Sequence, residues 1–130
     1  MTPGPILIDA VFMSEKQEDT FYLYDLQVET VRGEKDFVCS HQEGVNFRVI
    51  GENLVFSKET QFSLYALAAI LPLIPAKQRE TAETDWMTTD TDIACPDPNC
   101  GARFRITRIA KRIFRHSECT IEPLSRKTKD

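Results

Sequence analysis

The stretch CPDPNCG, residues 95–101, constrains the fold more than any other part of the chain. Proline fixes φ and supplies no N–H, and Asp and Asn favour turns, so Pro96, Asp97, Pro98 and Asn99 read as a turn with a thiol on either side. Gly101, directly after Cys100, permits a left-handed backbone there. The following residues alternate, with Ala102, Phe104 and Ile106 set against Arg103, Arg105 and Thr107, the period of a half-buried strand. Ile106, Ile109, Ala110, Ile113 and Phe114 also form a helical stripe. The expectation is a strand to about Ile109, with both continuations open.

Upstream, residues 5–13 (PILIDAVFM) read as a first strand. Residues 20–31 alternate, with Tyr22, Tyr24, Leu26 and Val28 on one face and Asp25, Gln27 and Glu29 on the other. Residues 32–35 (RGEK) are a turn, and DFVCSH starts the return strand. Val45, Phe47 and Val49 are expected inward, and GEN (51–53) turns the chain into LVF. Ser57 and Thr60 are candidate N-caps for a helix beginning near residue 60. Its apolar residues, Phe62, Tyr65, Leu67, Ala69 and Ile70, lie on more than one side, which predicts a buried helix that Pro72 and Pro75 end or kink. Residues 76–92 read as a polar loop pinned by Trp86 and Met87, and 125–130 as a flexible tail. The predicted fold is α+β: a small antiparallel sheet with one buried helix and a zinc-ribbon-like knuckle, in a single domain over residues 1–130.

Composition narrows the function. With 42% apolar residues the chain can bury a core without staples. The net charge of −4 opposes general binding to polyanions. Arg103, Arg105, Arg108, Lys111, Arg112 and Arg115 nevertheless form a local basic run. Phe104, Ile106, Ile109, Ile113 and Phe114, interleaved with it, are mostly aliphatic and suit packing better than base stacking. The run therefore reads as a protein-docking face, with no nucleic-acid partner. No leader is visible, and the apolar stretch 64–76 is short and interrupted by two prolines, so a cytoplasmic protein with no membrane partner is expected. In a reducing compartment four cysteines suggest metal ligands or core thiols before disulfides.

Both histidines lie within three residues of a cysteine: His41 beside Cys39, and His116 beside Cys119. Tetrahedral Zn2+ selects thiolate and imidazole ligands, and structural sites use four. Three arrangements are open: a local Cys95, Cys100, His116 and Cys119 set; Cys39 and His41 completing Cys95 and Cys100; or four thiolates from Cys39, Cys95, Cys100 and Cys119. A Cys-His nucleophile using Cys39 or Cys119 is an alternative of another class, as is a general-base cluster of Asp90, Asp92 and Asp97. No phosphate-cradling glycine loop, serine elbow or dinucleotide fingerprint is present, and no catalytic residue is assigned.

GENLVF, the apolar helix after it and ACPDPNCGARFRITRI together resemble a family of small bacterial proteins marked by a CPDP turn, over about residues 37–109. That family brings no known activity; Cys100, His116 and Cys119 are additions to its pattern. In size, acidity and paired knuckles the chain also resembles the small subunits of ATP-dependent ketone carboxylases, those acting on acetophenone in particular. CSH (39–41) would correspond to that family's C-x-C-G-H knuckle, lacking one thiol, and CPDPNCG to its C-P-x-C-G knuckle, two residues longer. The resemblance implies a zinc-containing accessory subunit without its own catalytic centre. Larger subunits would phosphorylate ketone and bicarbonate and join them. The alternatives are a nucleic-acid-binding zinc ribbon and a free-standing enzyme dependent on a metal or a cysteine.

Overall fold

The computed structural model describes residues 6–7 and 19–125. Most of the first predicted strand, and residues 126–130 of the predicted tail, lie outside the described residues. In chain order the elements are β1 (Ile6–Leu7), β2 (Thr20–Arg32), β3 (Gly44–Ile50), β4 (Asn53–Phe56), α1 (Leu64–Ile70), a 3-10 turn (Leu71–Leu73), α2 (Ile74–Gln78), α3 (Trp86–Thr89), β5 (Asp92–Ala94), β6 (Ala102–Arg115) and α4 (His116–Cys119). The sheet is antiparallel, ordered β1-β6-β2-β3-β4, with β5 also paired to β6. The fold is α+β, as predicted.

The segment after Cys100 is a strand to Arg115, without a helix. Its mixed periodicity has a mechanical cause. Asp25 pairs with Ala110 and Leu26 with Arg108, so Ile109 is an extra, exposed residue in β6. A bulge of this kind reverses which face each later residue occupies, so alternation on either side of it imitates a helical stripe. Phe104 and Ile106 pair with Thr30 and Val28 on the core face.

A second bulge corrects the reading of β3. Val28 pairs with Phe47 and Glu29 with Val45, so Asn46 is the extra residue. Phe47 and Val49 are buried as expected, but Val45 is exposed and Asn46 is buried in its place. That burial is satisfied: the Thr30 hydroxyl donates to Asn46 Oδ1 at 2.6 Å, and Asn46 Nδ2 donates to the Gln42 carbonyl at 2.8 Å. Asn46 thus ties the loop between β2 and β3 to the sheet. Residues 36–41 within that loop form no strand, contrary to the expectation.

The helical layer covers the Leu26, Val28, Phe47, Val49, Phe104 and Ile106 face through Ala66, Ile70 and Ile74. Helix α1 begins later than predicted, at Leu64, because Ser63 provides the cap: its hydroxyl accepts from the Ala66 N–H at 3.2 Å. The helix buries one face only, leaving Leu64 and Tyr65 exposed, and Leu71 in the 3-10 turn after it is exposed as well. Pro72 and Pro75 each occupy the first turn of the next helical segment, where a missing N–H costs nothing. In the predicted 76–92 loop Met87 is buried, whereas Trp86 is exposed.

The basic run of β6 is engaged within the chain. Arg105 pairs with Asp92, Lys111 with Glu80 and Arg115 with Asp19. Arg103 donates to the Ala102 carbonyl. Arg108 donates to the Lys77 and Arg79 carbonyls at the end of α2 and lies over the Tyr24 ring. Arg112 Nε donates to both oxygens of buried Asp25, at 2.8 and 2.9 Å. Lys77, also buried, donates to the carbonyls of Met87 and Asp90, both at 2.5 Å, which holds α3 against α2. No helix among the described residues is long and apolar enough to cross a membrane.

Candidate metal centre

Two chain segments meet at one end of the long β2–β6 ladder. One is the Gly33–Glu43 loop after β2, which carries Cys39 and His41. The other is the 95–101 turn between β5 and β6. The turn forms as its sequence demands. Asp97 Oδ1 accepts from the Asn99 N–H at 2.9 Å, the Asp97 carbonyl accepts from the Cys100 N–H at 3.0 Å, and the Cys95 N–H donates to the Ala102 carbonyl at 3.2 Å.

The loop is pinned to that turn by backbone contacts. The Gly101 N–H donates to the Asp36 carbonyl at 2.9 Å, and the Gly101 carbonyl accepts from the Gly33 N–H at 2.7 Å. Gly101 does not adopt the left-handed conformation that its residue type permits; among the described glycines Gly44 and Gly51 have a positive φ. Its role is room: a Cβ there would stand 1.7 Å from the Lys35 carbonyl oxygen. The sequence gives no sign of such a contact, because the partner is 66 residues away.

These contacts bring Cys39, His41, Cys95 and Cys100 together, their donor atoms all within 4.8 Å of one another. Cys39 Sγ lies 4.0 Å from Cys95 Sγ, and Cys95 Sγ lies 3.5 Å from His41 Nε2. The four cysteines are free thiols. A tetrahedral zinc with its usual bond lengths sets S–S edges of about 3.8 Å and S–N edges of about 3.5 Å, so the donors fit such an ion with little movement. The His41 ring is held edge-on by Phe104 and Phe37, at 5.1 and 5.9 Å between centroids. The set is compatible with a metal ion such as zinc.

In the metal-free site the ligands are shifted in different directions. Burial, followed by the neighbouring Cys95 and Cys100 thiols, pushes the Cys39 thiol up to about 12. Its sulfur contacts Asp97 Oδ2 at 3.6 Å. Burial also raises Cys100, but the Cys39, Ala102 and Val38 backbone N–H groups outweigh it and bring that thiol down to about 7. The Val38 N–H donates to Cys100 Sγ at 3.3 Å. Such donors serve a bound thiolate equally well. Burial holds His41 below its ordinary value, in the neutral form that ligates metal.

His116 and Cys119 stand elsewhere. They form α4, beyond the far end of the 14-residue β6, which at the usual strand rise separates them from Cys100 by on the order of 40 Å. His116 Nε2 bonds the Glu122 carbonyl at 2.7 Å, and Cys119 is exposed. Of the three arrangements, the structure assembles Cys39, His41, Cys95 and Cys100. The acids considered as a base cluster are occupied structurally: Asp92 pairs with Arg105, Asp97 shapes the turn, and Asp90 accepts from the Thr89 hydroxyl.

Comparison of the chain with protein-family models, with characterised proteins and with solved structures finds no match in any of the three.

Proposed function

We propose that this protein is a zinc-stabilised, non-catalytic binding module whose Cys39, His41, Cys95 and Cys100 hold one structural Zn2+. The observation that carries the reading is the set of four protein donors within 4.8 Å of one another. Four protein ligands complete a tetrahedron and leave no position for substrate or activated water, the mark of a structural site. Zinc in particular is favoured by the soft thiolate-rich donor set and the tetrahedral spacing. The resemblance of the paired knuckles to small subunits of ATP-dependent ketone carboxylases supports an accessory role. The partners would be larger, ATP-using subunits acting on an aromatic ketone such as acetophenone, in the cytoplasm.

Elemental analysis of protein purified without chelator is expected to give one zinc per chain, unchanged by Cys119→Ser or His116→Ala. Metal-free protein, or metal lost with either substitution, would refute the ligand set. The isolated chain is expected to hydrolyse no ATP and to turn over no ketone. Purification at native expression level should co-elute the larger subunits; co-eluting nucleic acid would favour the zinc-ribbon alternative.

A further inference from the structure

Among the described residues strand β4 forms the outer edge of the sheet beside β3, and all four of its residues are exposed. Soluble proteins commonly protect such an edge with lysine, proline or a bulge. Asn53-Leu54-Val55-Phe56 has none of these. Ile50 and Asn53 close a two-residue turn and form the first hydrogen-bonded pair with β3. By alternation, Val55 also directs its backbone groups toward β3, while Leu54 and Phe56 present N–H and C=O groups at the open edge. Leu54 and Phe56 pair with buried Val49 and Phe47, so their side chains extend the core face beyond the helical layer. They remain 40% and 38% exposed.

The sequence around this edge is self-complementary. Written outward from Val55, it has Leu54 and Phe56, then Asn53 and Ser57, then Glu52 and Lys58. A two-fold axis through Val55 places Leu54 opposite Phe56 of a second copy, and brings Glu52, in the turn before the strand, to the end where the partner's Lys58 lies in the turn after it. Leu54 and Phe56 carry the open-edge backbone groups, so this register makes their two symmetry-related pairs the hydrogen-bonded ones and Val55–Val55 the unbonded centre. Neither Glu52 nor Lys58 forms an ion pair among the described residues. After β4 the chain turns over Ser57–Thr60, the Thr60 N–H donating to the Ser57 carbonyl at 3.1 Å, with Lys58 and Glu59 (φ 66°) at the centre of the turn.

We propose that two copies of the chain pair through their β4 strands, antiparallel and centred on Val55, to make one continuous sheet. The axis lies normal to the sheet, so both helical layers fall on the same face. They flank a shared apolar floor made by Leu54 and Phe56 of each copy. A charge-free strand lets two chains of net charge −4 meet without facing like charges, and the Glu52–Lys58 pairs set the register.

Sedimentation analysis of the full chain over a range of concentrations tests this. The wild type is expected to dimerise. Val55→Lys, at a residue 48% exposed, sets two ammonium groups on the axis and should weaken the dimer by roughly tenfold or more. Glu52→Lys and Lys58→Glu should each weaken it, and the double reversal should restore it, which a loss of folding could not mimic. A wild type that stays monomeric up to roughly 100 µM overturns the proposal. A dimer indifferent to Val55→Lys, or one that the double reversal fails to restore, also overturns it. None of these readouts depends on metal content, so the dimer and the zinc reading stand or fall separately.

Discussion

Cys95→Ser and Cys100→Ser are each expected to abolish tight zinc binding and to lower stability by about 3 kcal/mol or more. Both side chains are buried, at 7% and 4% exposure, and belong to the same core cluster as Phe104 and Ala102. Serine there exchanges a soft thiolate for a hydroxyl that zinc binds poorly, and it leaves a polar group in an apolar setting. The polar penalty alone would be modest. Most of the loss is linkage, since an ion that binds only the folded chain stabilises it by its binding free energy. A strong chelator separates the two contributions. It should lower the wild-type melting temperature close to that of the serine variants and leave theirs nearly unmoved. A wild-type melt indifferent to the chelator would contradict the prediction.

The sign of the pH dependence follows from the same ligands. Metal-free Cys39 is held protonated by burial and by the Cys95 and Cys100 thiols, so ion binding must expel its proton. Affinity therefore rises with pH. In acid, protons compete for the thiolates and, below its already lowered pKa, for His41. Zinc retention measured by dialysis should fall as pH drops from 7 toward 5, and stability with it. In metal-free protein the lowered His41 pKa acts in the same direction. Its contribution is present above the ordinary histidine value near 6.5 and is lost as pH falls through the folded value.

Much of the architecture was legible in local patterns. The alternation of residues 20–31 gave β2, although Asp25, expected on its polar face, is buried on Arg112, and the CPDPNCG turn and the GEN turn appeared where their residues required them. Two single-residue bulges account for the main ambiguity and one error. Ile109 blurred strand and helix in β6, while Asn46 exchanged places with Val45. Both depend on cross-strand pairing, which a local reading of periodicity does not contain. The all-round apolar composition of helix α1 predicts burial on every side; the structure covers one side of it. The candidate ligands were all named, but their selection required topology. Because β6 continues past the Ile109 bulge to Arg115, it carries His116 and Cys119 away from the cysteine turn. The loop after β2 brings Cys39 and His41 back to that turn.

Gly101→Ala is expected to have the largest effect of any substitution outside the ligand set, with a loss of about 3 kcal/mol or more and a metal affinity lowered by roughly tenfold to a hundredfold. The added methyl would lie 1.7, 2.3 and 2.9 Å from the Lys35 carbonyl oxygen, carbonyl carbon and Cα. Those are backbone atoms, so no side-chain rotation relieves the overlap. The Lys35–Asp36 segment must move, breaking the hydrogen bond from the Gly101 N–H to the Asp36 carbonyl. Three residues beyond Asp36 is Cys39, and the intervening Val38 N–H bonds Cys100 Sγ. Displacement therefore propagates into both the spacing of the four donors and the support of one thiolate. Gly33→Ala is the graded comparison. Its Cβ would meet the Gly101 carbonyl oxygen at 2.6 Å, a smaller intrusion at the same crossing, and should give the same loss of metal in weaker form. Neither glycine has a positive φ, so backbone torsion does not explain the effect. Zinc titration and thermal melts of both variants should rank wild type above Gly33→Ala and Gly33→Ala above Gly101→Ala. A Gly101→Ala protein with wild-type zinc affinity would show that the loop crossing does not position the ligands.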